Sequence, residues 1–360
     1  MTASTIDVRS ESQLGSEARN PVSAPRQRFH ALDALRGLAI GLMVFVNWAG
    51  NYSLPTAFGH SEWHGITLAD TVFPGFLVAM GTAMPYSTRT GWRRAVGRAI
   101  MLYLIGSALV SFRYGLPFQL TAGVLQLTGV AYLTTWLIMR LPRAAQTPVV
   151  AALLVAVSAA YLWAPLPGVE PGSFEPGTNV GEWFDAALGM GPHPENPHAW
   201  ITAVGSVYVG VMAGRISRDN TGRERLVRLS LLGGSVLAIG LVAATLVPVN
   251  KYLWTPSFVL VTGGLTVLAL VLLALLVPSG SRGGPLRPLV LLGGHAIVIY
   301  IFSETIVARA HDVWLWPTLE SIVTDRWGEL VAAVAFPLGA VIVSIGLAWV
   351  MERLNIRIRL

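Results

Sequence analysis

The chain has 360 residues, of which 53% are hydrophobic and only 12% charged, with a net charge of +6. Soluble domains carry about 25% charged residues, so this balance excludes an ordinary soluble enzyme and points to lipid as the solvent. Of its 25 basic residues all but Lys251 are Arg, in short clusters between apolar runs, which argues for membrane-flanking loops and against a nucleic-acid-binding surface.

Residues 1–28 are polar and lack the apolar core of a signal peptide, so they read as a disordered cytoplasmic tail. From 29 to 360 the chain reads as one transmembrane domain. A spanning helix needs about 20 mostly apolar residues. Such runs occur at 31–50, 66–87, 96–114, 120–140, 147–165, 199–215, 229–248, 256–277, 288–308 and 329–351. The expected fold is therefore all-α: a polytopic helical bundle of about ten spans, with both termini cytoplasmic. The charges agree with that topology. All basic residues except Arg113, Lys251, Arg309 and Arg326 fall on one side of it, and an odd number of spans would scatter them. The outer side carries the longer segments 51–65, 166–198 and 309–328. The second is rich in Pro, Gly and acidic residues, and reads either as a solvated loop or as a lid over a polar or cationic substrate.

Polar residues inside spans are costly and mark candidate sites. The densest run starts at Asn47, passes His60 on the short connection after the first span, and reaches Asp70 one turn into the second. A His at an outer mouth, with an Asn and a carboxylate in reach, suits a general base or a nucleophile; the plainer alternative is an interfacial loop His. A second cluster, Asn250, Lys251, Trp254 and Ser257, reads either as an anion-meeting Lys or as an interfacial belt of Trp, Tyr and Lys. Asp33 and Arg36, three apart on the first helix, are expected to pair, and Arg36 is also a candidate for a cofactor phosphate. Gln126 suits a bond to a neighbouring helix. Glu304 is an acid inside the ninth span, with His295 two turns earlier as its candidate partner. The chain has no Cys, HExxH, Walker A loop or GxSxG, so thiolate, metalloprotease, NTPase and serine-hydrolase chemistry have no support, and no metal is expected.

Taken together, these clusters resemble one family. The run Leu32-Asp33-Ala34-Leu35-Arg36-Gly37, continuing through Met43 to Asn47, resembles the first span of the heparan-α-glucosaminide N-acetyltransferases. The stretch His60-Ser-Glu-Trp63-His-Gly65-Ile-Thr67-Leu-Ala69-Asp70-Thr-Val-Phe73-Pro74 is similar to that family's catalytic pattern. Gly123-Val-Leu-Gln126 and Asn250-Lys251-Tyr-Leu253-Trp254-Thr-Pro-Ser257 resemble two further elements, in the family's order. Where the family often has Asn in a late span, this chain reads Gly294-His295-Ala296-Ile297.

The resemblance implies a multispan acyltransferase that takes acetyl-CoA, as co-substrate, from the cytoplasmic side and acetylates an amino sugar on the other. It implies His60 as the catalytic His and Asn47 as an active-site Asn. Asp70 is assigned with them to the catalytic set. Arg36, Gln126, Asn250, Lys251, Trp254, Ser257 and His295 are the candidates for substrate and cofactor binding. No counterpart of the large luminal domain of the animal enzymes precedes the first span, so a small glycan or glycosylated metabolite is a better expected acceptor than heparan sulfate. The expected partners are the bilayer, the acyl-CoA and that acceptor, with a homodimer left open. The short polar tail and the Arg-heavy composition suggest a bacterial plasma membrane. The alternative from a different class is a proton-coupled small-molecule transporter, which ten spans with buried Asp, Glu and His would also suit.

Overall fold

The computed structural model describes residues 29–49, 59–87, 91–277, 283–307 and 315–356. The expected tail 1–28 and most of the first outer segment lie outside these. Among the described residues the fold is all-helical, with thirteen α-helices: α1 His30–Ala49, α2 Leu68–Ala83, α3 Trp92–Tyr114, α4 Val124–Ile138, α5 Arg143–Trp163, α6 Val180–Ala187, α7 Pro197–Asp219, α8 Gly222–Ala243, α9 Pro256–Leu276, α10 Arg287–Gly294, α11 Ala296–Phe302, α12 Leu315–Trp327 and α13 Glu329–Arg353. A π-helical turn, Ser303–Val307, continues α11.

Eight of these helices are long and apolar enough to cross a membrane; the pair Gly284–Gly294 and Ala296–Thr305, bent by 70°, makes a ninth if counted as one span. The remaining expected crossing is α4, which has 15 residues where the apolar run 120–140 suggested a full span. The reason is local. Gly123 stands at φ 153°, a conformation costly for any side chain, and the preceding residues are not helical. The acidic outer segment 166–198 is mostly irregular but contains the short helix α6, and the last outer segment contains α12.

The centre of the bundle is α7 against α2, flanked by α9, α4 and α1. Glycines permit this closeness. A Cβ added at Gly81 would strike the Val207 carbonyl, and one at Gly210 the Val78 carbonyl, so α2 and α7 meet backbone to backbone. The same device joins α1 to α10, where Gly37 abuts the Leu289 carbonyl and Gly293 the Asp33 carbonyl. With no hydrophobic drive between helices in lipid, such packing and interhelical polar contacts hold the elements that carry the site. Opposite helix ends surround two separate cavities.

Candidate active site

One cavity, of about 780 Å³, lies at the end that the charge pattern leads one to expect on the outer side, and is called the outer cavity for that reason; it is bordered by α1, α2, α3, α4, the end of α11 and the turn before α9. It brings His60, Asn47, Gln126 and Lys251 to one space. Asp70 stands behind His60. Its carboxylate is fully buried, three residues into α2 from the N-cap Thr67. Oδ2 accepts from Ser61 N (3.1 Å), Thr67 N (3.0 Å) and Thr67 Oγ1 (3.0 Å). Oδ1 is left for His60 Nδ1 at 2.8 Å. A carboxylate accepting three donors on one oxygen is stable as the anion and fixed in place. With Asp70 as the anion, Nδ1 of His60 carries the hydrogen directed at Oδ1, and Nε2 is the ring nitrogen left with a lone pair. The side chain of His60 is 40% exposed, enough to meet a substrate.

Lys251 closes the group from the far end of the sequence. Its Nζ lies 3.2 Å from His60 Nε2, 2.9 Å from Nδ1 and 3.6 Å from Asp70 Oδ1. Burial pushes its ammonium below the ordinary value, while the negative charges of Glu195 and Asp70 oppose the fall. The turn that carries Lys251 is built by its neighbours. Asn250, fully buried, accepts on Oδ1 from Leu253 N at 2.9 Å, and its Nδ2 approaches His64 Nδ1 at 3.3 Å. Thr255 Oγ1 and Ser257 Oγ both donate to the Pro248 carbonyl, at 2.8 and 3.0 Å. Trp254 sits at φ 45°, fully buried, its ring edge-on to Phe73 and Phe258. Trp254 and Ser257, candidates for binding from the sequence, thus lie in the wall behind the turn and line neither cavity.

Asn47 and Glu304 form a second polar group in the same cavity. Asn47 Nδ2 donates to Glu304 Oε1 at 2.7 Å, and Arg113 donates to Glu304 Oε2 at 3.0 Å. Glu304 therefore does not pair with His295. That His is buried at the 70° bend, with Nδ1 3.0 Å from the Leu291 carbonyl, and lines neither cavity. Gln126 donates to Thr121 Oγ1 at 3.0 Å, holding the chain before α4.

Sequence reasoning passed over three contributors. Glu195 and Arg113 line the outer cavity. His198, on α7, has Nδ1 2.6 Å from Asp185 Oδ2 and Nε2 2.9 Å from the Tyr252 carbonyl, so it ties α6 to the turn next to Lys251. Asp185 and Glu195 had been visible only as members of an acidic loop, and no local motif pairs them with a turn some 60 residues on.

The second cavity, about 570 Å³, opens at the other end of the bundle. Arg36, Arg98, Arg140, Arg143, Arg215 and Arg218 stand around it. Arg36 also makes the expected contact with Asp33, at 3.4 Å. Arg215 donates to Gln146 Oε1, and Gln146 in turn holds the Leu141 carbonyl at 2.8 Å. Leu125 of α4 borders both cavities, so one side-chain layer separates the arginine-rich space from the space around His60. Among the described residues no group of His, Asp and Glu is arranged to hold a metal.

The motif resemblance has an independent counterpart. Residues 28–177 match the family model described as heparan-alpha-glucosaminide N-acetyltransferase, catalytic. The heparan-alpha-glucosaminide N-acetyltransferase of Mus musculus is 34% identical over 176 residues, which are 43% of this chain and 24% of that protein. The Homo sapiens protein of the same name is 33% identical over 148 residues, 34% of this chain and 22% of its own length. The chain thus spans about a quarter of the curated relatives it matches. Over the stretch that supplies Asn47, His60 and Asp70, this all-helical membrane protein is similar to the heparan-α-glucosaminide N-acetyltransferases.

Proposed function

We propose that the protein is a membrane-embedded acyltransferase that moves an acetyl or short acyl group from acyl-CoA to an amine or hydroxyl of a sugar-like acceptor, with His60 as general base. The observation that carries this reading is the Asp70–His60–Lys251 group facing one cavity, with an arginine-ringed cavity one side-chain layer away. The arginine-rich end is taken as cytoplasmic by the positive-inside rule. There, Arg98, Arg140, Arg143, Arg215 and Arg218, with Arg36, would grip the nucleotide phosphates of the donor, since guanidinium forks match phosphate oxygens. The pantetheine arm would pass Leu125 toward His60.

A thioester is already activated, so the protein need only position it, remove a proton and stabilise the oxyanion. His60 Nε2 takes the proton from the acceptor as its nitrogen or oxygen attacks the thioester carbonyl. The tetrahedral intermediate then expels the CoA thiolate, which recovers a proton from the imidazolium. Asp70 stabilises that imidazolium and holds its orientation. Asn47, held through one amide hydrogen by Glu304, keeps the other for the carbonyl oxygen. Glu195 and Glu304, balanced by Lys251 and Arg113, give the cavity polar walls suited to a sugar-like acceptor.

The test is acyl-CoA turnover by purified protein with a panel of amino sugars, wild type against His60→Ala. Acceptor-dependent CoA release that falls by about 1,000-fold in the variant, with acetyl-CoA binding intact, supports the reading. Absence of CoA release and of acyl-CoA binding in the wild type overturns it in favour of transport.

A further inference from the structure

The chain between α3 and α4 does something a simple outer loop does not. After Tyr114 it turns back along α3: Gln119 N donates to Ser111 Oγ at 3.3 Å, and Thr121 N donates to Ser107 Oγ at 3.4 Å. Ser107 and Ser111 are buried in the packed side of α3. The extended stretch 116–123 therefore descends into the bundle, and α4 starts beside Gly106, where an added Cβ would meet the Gln126 side chain. The lengths agree. Helix α3 has 23 residues and α4 has 15, and the missing eight correspond to about 12 Å of helix rise, the depth of the descent. Irregular backbone at membrane depth is tolerated where it is buried in protein or lines a cavity, and here it lines the outer cavity through Gln119, Leu120, Thr121, Ala122 and Gly123.

Residues 115–120 of the stretch are all exposed, and the large apolar ones among them, Leu116, Phe118 and Leu120, are 46, 60 and 66% exposed. Leu120 and Tyr114 are at once exposed and part of the cavity lining, so the cavity has an opening at this rim; Leu188, Gly189, Gly191 and His193 form a second exposed stretch of its lining. That second stretch belongs to a braced turn, residues 188–196. Asn196 Nδ2 donates to the Gly191 carbonyl at 2.7 Å and Trp200 Nε1 to the Glu195 carbonyl at 3.0 Å. Glu195 and Glu304 share the lining with Lys251 and Arg113, so the cavity is polar and its charges are balanced.

From this we propose that the acceptor is an amphiphile resident in the membrane: an amine- or hydroxyl-bearing sugar head on a hydrocarbon chain. It enters from the lipid between α3 and α4 with its chain left along Leu116, Phe118 and Leu120. This rests on the acyltransferase reading above and adds the class of acceptor and its route.

The chain contains no Cys, so a single Leu120→Cys offers a clean handle in the mouth. The variant is reconstituted in phosphatidylcholine vesicles and capped with a bulky methanethiosulfonate that dithiothreitol removes. Acetyl transfer to dodecyl glucosaminide in the bilayer is compared with transfer to free glucosamine. Wild type is expected to favour the dodecyl acceptor by at least about 100-fold in kcat/KM. Capping is expected to cut its turnover at least tenfold and free glucosamine less than twofold, with recovery on reduction. Equal use of both acceptors, or an equal loss of both on capping, overturns the proposal. A second readout does not depend on acyl transfer: a diazirine-bearing phosphatidylcholine is photolysed and its adducts mapped. Adducts on Val72 and Phe73, inside the cavity, that vanish on capping support lateral entry. Adducts confined to Leu116 and Phe118 refute it, whatever the outcome for CoA release.

Discussion

Asp70→Asn is the sharpest test of how His60 is held. The native carboxylate has two jobs on two oxygens: Oδ2 accepts three hydrogen bonds at 3.0–3.1 Å and Oδ1 accepts one from His60 at 2.8 Å. An amide has one oxygen and one NH2. If the oxygen replaces Oδ1, the NH2 faces three donors, which costs several hydrogen bonds at about 1–3 kcal/mol each in a buried place. If the oxygen replaces Oδ2, those three bonds survive, but the NH2 now points at His60 Nδ1. That arrangement is the stable one. It forces Nδ1 to accept, moves the ring hydrogen to Nε2 and removes the lone pair there. The same substitution also removes the charge that stabilises imidazolium. In an Asp-oriented imidazole this combination costs about 10⁴ in kcat, or about 5.5 kcal/mol of barrier. The folded state should survive, since the three bonds to Ser61 and Thr67 persist in the flipped amide. The assay is kcat for acyl transfer in vesicles, with acyl-CoA affinity and Tm alongside. A variant within tenfold of wild-type kcat, with an unchanged pH profile, would show that Asp70 does not set the protonation state of His60.

Three further outcomes follow from other contacts. Glu195→Gln removes a negative charge that opposes the burial-driven fall of the Lys251 pKa, so the ammonium beside His60 should lose its proton at lower pH; the alkaline side of the pH–rate profile is expected to shift down in this variant, and adding Glu195→Gln to Lys251→Met, which has no ammonium to titrate, should produce no shift. Arg98→Ala or Arg143→Ala should raise the KM for acyl-CoA about tenfold, the worth of roughly one charge-assisted phosphate contact, and leave the rate from saturated enzyme within about twofold, measured by CoA release. Gly81→Ala would drive a methyl into the Val207 carbonyl and part α2 from α7. Overpacking of this kind costs about 1–3 kcal/mol or more, visible as a lower Tm in detergent, whereas Gly97→Ala, facing open space, should leave Tm unchanged.

What the sequence made legible follows the physics that acts locally. Long apolar runs and clustered Arg residues are decided by lipid alone, so the all-helical bundle and the gathering of Arg36, Arg98, Arg140, Arg143, Arg215 and Arg218 at one end could be read directly. The pair His60 and Asp70 could be read because ten residues join them through a helix N-terminus that Thr67 starts. Lys251 was legible as a motif but its partner was not, since nearly two hundred residues separate it from His60. Glu304 illustrates the limit. Helical spacing suggested His295, but a 70° bend at His295 and a π-helical turn at Ser303 turn Glu304 instead toward α1 and α3, where Asn47 and Arg113 meet it. The short α4 was hidden for a related reason: residues 120–123 lead into the apolar run and pass as its first turn, whereas the bond of Thr121 N to Ser107 of α3 and the backbone at Gly123 keep them out of the helix.

That extended stretch also bears on why the two cavities are kept apart. Were α4 a full span, its first turns would fill the space between α3 and the π turn of α11, and His60 would face packed side chains. Shortened by eight residues against α3, it instead leaves a cavity on the outer side and presents Leu125, in its first turn, as the divider from the arginine-ringed space. Gln126, next to that divider, bonds Thr121 of the extended stretch and approaches Ser107 of α3, so it fixes where the helix begins. On the proposed reading this makes Gln126 a positioning residue for the meeting point of donor and acceptor. Gln126→Leu, of similar volume but unable to donate, should let the start of α4 shift. The expected sign is a loss of kcat at least tenfold with the KM for acyl-CoA unchanged, and partial recovery in Gln126→Asn. A parallel loss in both variants, with a lowered Tm in each, would assign the residue to folding alone.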